Sequence, residues 1–176
     1  TPDRIVGEWT ATGCRPGFVA LQRSGTSHSE EIPFSYPGRW SGHLSQSDRD
    51  YGFYYELNLS PDGTGTSNIV SEDAGGEALH QLEWEETVNG IRLTETQVIE
   101  RTDPQWKGCL KSADLTKNRK DGTYELTGNW GGFLEHKTAE TGSCAPGRVY
   151  LNKPVLSRTV TERISPQTDQ YTAETQ

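Results

Sequence analysis

The sequence predicts an all-β protein: an eight-stranded antiparallel up-and-down barrel with an extra N-terminal β-hairpin. Three observations predict it. Apolar and aromatic residues alternate with polar ones in short runs, while the 3.6-residue period of an amphipathic helix is weak throughout. Turn-forming pairs separate the runs, among them Asp62-Gly63, Asn89-Gly90 and Asp121-Gly122. Eight such runs follow one another from Arg39, and closing a sheet of that size into a barrel removes the exposed edges that invite aggregation. A two-sheet sandwich is the competing architecture for the same strands.

The expected strands are Arg39 to Gln46, Tyr51 to Ser60, Thr64 to Ser71, Ala78 to Val88, Ile91 to Arg101, Lys107 to Leu115, Thr123 to Trp130 and Arg148 to Lys153. In the second, Tyr51, Phe53, Tyr55, Leu57 and Leu59 share one face and Gly52, Tyr54, Glu56 and Asn58 the other, the pattern of a half-buried strand. Pro61-Asp62-Gly63 ends it, because proline presets φ and glycine takes positive φ. Asn89-Gly90, between Leu82 to Val88 and Ile91 to Ile99, is the strongest hairpin signal in the chain, and Asp121-Gly122 repeats it before Tyr124 to Trp130.

Outside these strands, residues 24–38 contain serine, glutamate, two prolines and His28, and suggest a linker. Residues 154–176 suggest a polar tail, within which Val155, Leu156, Val160 and Ile164 allow one edge strand. The expected organisation is a partial repeat over 1–23, the linker over 24–38, the barrel over 39–153 and the tail over 154–176.

The partial repeat rests on two similar segments. Ile5-Val6-Gly7-Glu8-Trp9 matches Leu126-Thr127-Gly128-Asn129-Trp130, and Cys14-Arg15-Pro16-Gly17 through Arg23 matches Cys144-Ala145-Pro146-Gly147 through Lys153. In both, a cysteine precedes a Pro-Gly turn that opens the last strand of a unit. Residues 1–23 are then the terminal hairpin of a preceding unit. Under this reading Cys109 and Cys144 form the disulfide of the complete unit, and Cys14, the counterpart of Cys144, is left unpaired or bridges to another molecule. A Cys14–Cys109 bond and three reduced cysteines are the alternatives.

A chain of 176 residues makes one domain of ordinary size with room for an added segment. The net charge of -8, with both signs mixed along the length, argues against nucleic acid, which needs clustered Lys and Arg. No run approaches the roughly 18 apolar residues of a spanning helix, and no signal segment opens the chain. Methionine is absent, so a processing boundary is expected before Thr1. The cysteines suit an extracellular or periplasmic compartment.

Gly38-Arg39-Trp40, Trp40-x-Gly42, Gly63-Thr64-Gly65-Thr66-Ser67, Trp106-x-x-Cys109-Leu110-Lys111-Ser112 and Cys144-x-Pro146-Gly147, set in a meander of hairpins, resemble the calycin group. That group holds lipocalins, fatty-acid-binding proteins and avidins, and the segments are also similar to lipocalin-like modules of secreted bacterial proteins. The resemblance covers Gly38 to Lys153 and implies either an interior cavity for a small molecule or a filled barrel used as a scaffold. It carries no particular ligand.

No nucleophile elbow, phosphate loop or zinc-ligand pair occurs at workable spacing, so no enzymatic activity, cofactor or metal is expected. Gly63-Thr64-Gly65-Thr66 enters a strand with no helix behind it. His80, Leu82 and Trp84 share one strand face and His43 faces outward, and with Glu83, Glu85 or Glu95 they offer acid–base or metal chemistry; scattered surface residues are the commoner meaning. Glu95 stands out, in phase with Ile91, Leu93 and Ile99, because an inward carboxylate needs an ion-pair partner or a ligand. Trp40 and Trp130 fit a core. The candidate ligand contacts are Trp84, Glu95, Trp106 and Tyr55.

The expected function is an interaction or structural module with a protein partner or neighbouring subunit. Binding of an apolar ligand or saccharide inside the barrel is the alternative, and hydrolysis a third. What fills the interior separates the first two: aromatics meeting at the centre mean a scaffold, and an open pocket with a few polar groups means a ligand.

Overall fold

The computed structural model describes residues 4–9, 17–22, 27–71, 76–104, 108–137 and 139–161. Within them, three strands come first, β1 (Arg4–Trp9), β2 (Gly17–Gln22) and β3 (Ser27–Glu31). Then follow β4 (Gly38–Ser45), β5 (Gly52–Leu59), β6 (Thr64–Ser71), β7 (Gly76–Thr87), β8 (Gly90–Arg101), β9 (Cys109–Lys120) and β10 (Thr123–Leu134). A single turn of helix, α1 (Ala139–Gly142), precedes β11 (Gly147–Pro154) and β12 (Ser157–Thr161). The chain divides into two compact units, Pro33–Val155 and a second made of Thr1–Ile32 with Leu156–Gln176.

Pro33–Val155 is a closed barrel in which β4 to β11 pair in sequence order and β11 returns to β4. Every pairing is antiparallel, and closure excludes the sandwich. The period-2 pattern sets the core: Phe53, Tyr55, Leu57 and Leu59 of β5 all point inward, joined by Trp40, Leu44, Leu82, Ile91, Leu93, Leu126 and Leu151.

The turns explain the strand boundaries. Asp121 and Gly122 both have positive φ, at 48° and 74°, the geometry of a tight hairpin turn, so β9 and β10 pair up to Lys120↔Thr123 and run beyond their expected limits. At the Asn89-Gly90 signal the turn lies one residue earlier. Thr87 pairs with Gly90, leaving Val88 and Asn89 as the loop. Gly90 is needed for close approach instead, since a Cβ there would lie 1.8 Å from the Leu115 carbonyl oxygen.

Two register shifts in the β7–β8 ladder, flanking His80 and Gln81, place extra residues in β8. One makes Thr96 an extra residue, so that Val98 pairs with the inward His80, and the other makes Ile99 itself an extra residue. Ile99, expected to face inward with Ile91 and Leu93, is therefore half exposed.

One barrel end is filled. Residues 33–37, inside the stretch expected to be a linker, bring Phe34 and Tyr36 against Trp40, Trp84 and Tyr124, with ring centroids 4.5 to 6.3 Å apart. Trp40 Nε1 donates to the Tyr36 carbonyl at 2.8 Å, and the Lys153 ammonium donates to the carbonyls of Ser35 and Pro37. Lys117 Nζ stands 4.2 Å from the Phe34 ring centre.

The other unit contains two separate two-stranded sheets. Ser27–Glu31, also inside the expected linker, is β3, and it pairs with β12 from Ser27↔Thr161 to Glu31↔Ser157. This strand was hidden because all its side chains are polar and exposed, so no alternation marks it. An Arg158–Glu30 ion pair at 3.0 Å lies across the ladder.

β1 and β2 form the N-terminal hairpin. Ile5 faces Leu21, Gly7 faces Val19 and Trp9 faces Gly17. In β10 and β11 Leu126 faces Leu151, Gly128 faces Val149 and Trp130 faces Gly147. The two hairpins share one register, although their connections differ in length.

Candidate functional site

The barrel end opposite the aromatic filling is open onto a cavity of about 470 Å³. Leu44, Phe53, Ile69, Trp130 and Leu134 supply apolar wall, and Gln46, Asp48, Arg49, Ser71, His80, Lys111 and Ser143 supply polar groups. A disulfide between Cys109 at the start of β9 and Cys144 before β11 forms part of the wall. It ties the connection that carries α1, whose Ser143 and Ala145 line the opening. Trp130 is fixed by donating from Nε1 to the Ser45 carbonyl at 2.7 Å.

Below the cavity lies a buried polar cluster. Glu95 and Lys111 would be the next cross-strand pair after Thr94↔Ser112, where the β8–β9 ladder stops. The carboxylate takes over from the main chain there. Glu95 Oε2 accepts from the Lys111 backbone N–H at 2.9 Å and from Lys111 Nζ at 3.0 Å. Oε1 accepts from the Tyr55 hydroxyl at 2.8 Å and the Ser67 hydroxyl at 2.5 Å. Four donors thus use the acceptor capacity of both oxygens. Lys111 Nζ gives a second bond to the Cys109 carbonyl at 2.9 Å.

Burial alone would raise the Glu95 carboxyl, but the Lys111 ammonium, the neighbouring His80 and the hydrogen bonds outweigh it and hold the group below its usual range. The same burial, with the Glu95 charge beside it, drives the Tyr55 phenol well above 10. His80 is fully buried, and desolvation depresses it to about 4, so the ring is neutral at pH 7. Neither of its nitrogens has a hydrogen-bond partner among the described residues. The main chain of Ser67, its ladder neighbour, lies near the ring without reaching hydrogen-bond geometry.

The four expected ligand contacts separate. Tyr55 and Glu95 meet in the polar cluster below the cavity. Trp84 is at the filled end, where Nε1 donates to the carbonyls of Ser60 and Thr64. Trp106 lies outside the described residues, as does Cys14. His80, weighed as one of several scattered surface residues, is a buried cavity residue instead, because it shares the inward phase of Ala78 and Leu82. Lys111 was overlooked as a site residue. Its signal was the same alternation, since Lys111, Ala113 and Leu115 all point inward.

Fold and cavity together define the class: a closed antiparallel meander barrel, filled at one end and open at the other onto a polar floor. Comparison with protein-family models, curated proteins and solved structures finds no match to the chain.

Proposed function

We propose that this protein is a non-enzymatic binding barrel that takes a small, largely apolar molecule into its open end. The observation that carries the reading is the 470 Å³ cavity with apolar walls and two buried nitrogen-bearing side chains on its floor. That volume lies within the ordinary range for small-molecule sites, roughly 300 to 1,000 Å³. The calycin-like strand order supports the same use. Hydrolysis is disfavoured because Glu95, the buried carboxylate, already accepts from four donors and has no lone pair left to act as a base. The disulfide supports an extracellular or periplasmic setting.

A neutral apolar fluorophore, N-phenyl-1-naphthylamine, tests the reading. The folded protein is expected to enhance its emission, and Ala145→Trp, which places an indole in the opening, is expected to abolish the enhancement without unfolding the barrel. Equal enhancement in both proteins, or none in the wild type, would remove the cavity from consideration.

A second reading, as an interaction module, is favoured by the other unit. Among the described residues each of these sheets has two strands, and β3 exposes every side chain, so pairing with a protein partner or neighbouring subunit is a natural way to extend them. The shared register of β1–β2 and β10–β11 supports the view that these hairpins are copies of one unit.

A further inference from the structure

The hydrogen-bonding groups around the cavity specify what its occupant carries, an inference that rests on the binding reading above. A neutral imidazole has one N–H donor and one lone pair, and both are unused in His80 among the described residues. An ammonium has three donors. Lys111 gives them to Glu95 and to the Cys109 carbonyl, which leaves one. The floor therefore holds two donors and one acceptor, at side chains that line the same cavity; both His80 nitrogens are covered, so the ring must turn for an occupant to reach them.

Charge restricts the occupant further. Lys111 is already balanced by Glu95 at 3.0 Å, and at the opening Arg49 lies 3.8 Å from Asp48. Each cation thus has a carboxylate beside it. A carboxylate ligand would add a second negative charge next to Glu95, and an ammonium ligand a second positive charge next to Lys111; neither finds an uncompensated partner in the lining. An uncharged head that both accepts and donates uses the free Lys111 donor and the His80 lone pair without adding a charge.

We infer that the cavity selects an uncharged, mostly apolar molecule ending in a hydroxyl or a primary amide, with that group seated between His80 and Lys111. The hydroxyl or amide oxygen accepts from Lys111 Nζ, and the hydroxyl hydrogen or an amide N–H donates to the imidazole lone pair. An ether of the same size satisfies only the first bond and leaves a buried acceptor unpaired.

Competition against the bound naphthylamine with four probes of one chain length tests this: 1-octanol, octyl methyl ether, octanoate and octylammonium. Octanol is expected to bind about tenfold more tightly than the ether, the factor corresponding to one hydrogen bond, and both ions more weakly still. His80→Leu should equalise octanol and ether, while His80→Gln, which keeps a donor and an acceptor, should retain a preference for octanol. Tightest binding by octanoate or octylammonium, or equal binding of octanol and ether by the wild type, overturns the inference and leaves the binding reading standing. Failure of the naphthylamine itself to bind the wild type overturns both. The wild-type series decides the matter even if His80→Leu does not fold.

Discussion

His80 couples the cavity to acidity. Its folded value of about 4 lies below the ordinary 6.5 because burial disfavours the charged ring. Between those values the unfolded chain holds a proton that the folded chain does not, so folding releases it and stability rises with pH. The contribution is complete above about pH 6.5 and is lost as pH falls toward 4, on the order of 3 kcal/mol in all. Urea unfolding at pH 7 and pH 4.5 should show the loss, and His80→Leu should flatten that window. Glu95, held below its usual range, is expected to add its own loss only at lower pH. At this scale the sequence was half legible. Alternation identified Glu95 as an inward carboxylate, but its partner Lys111 comes from a different strand, and pairing across a sheet depends on a register that one strand does not contain. His80 had the right phase, yet nothing local distinguishes an inward histidine without hydrogen bonds from one on the surface.

Strands and turns were more legible, because alternation and turn chemistry act within a few residues. The exceptions have definite causes. The β8 bulges depend on the partner strand and leave Ile99 as an extra, half-exposed residue, and β3 has no apolar residue to mark a face. The disulfide works at this scale too, fastening the β10–β11 connection to the start of β9 across a separation of 35 residues. Closing a loop of that length stabilises by about 3 to 4 kcal/mol in the chain-entropy model. Denaturant unfolding of the oxidised and reduced protein should differ by that amount. Reduction should also weaken naphthylamine binding, since both cysteines and Ala145 form the cavity wall.

For the molecule as a whole, the barrel has its own closed ladder, core and disulfide, all inside Pro33–Val155. That segment alone is expected to unfold cooperatively and to bind naphthylamine as the full chain does; loss of folding on removing the rest would show that the barrel depends on it. Comparing the solution size of the two forms checks the interaction reading, which expects association only when residues 1–32 and 156–176 are present. The eight-strand closure was legible because successive short turns leave a meander few other ways to cover its edges. The filled and open ends were not, since both arise from side chains far apart in sequence. The two hairpins of common register add a consequence for engineering. Between their closing Trp–Gly pairs one has seven residues, 10–16, and the other sixteen, 131–146. In the longer one, residues 131–134 still pair with β9 and Cys144 is bonded to Cys109, so the place where foreign sequence can be grafted with the strand pairing and the disulfide left as they are is between Glu135 and Gly142.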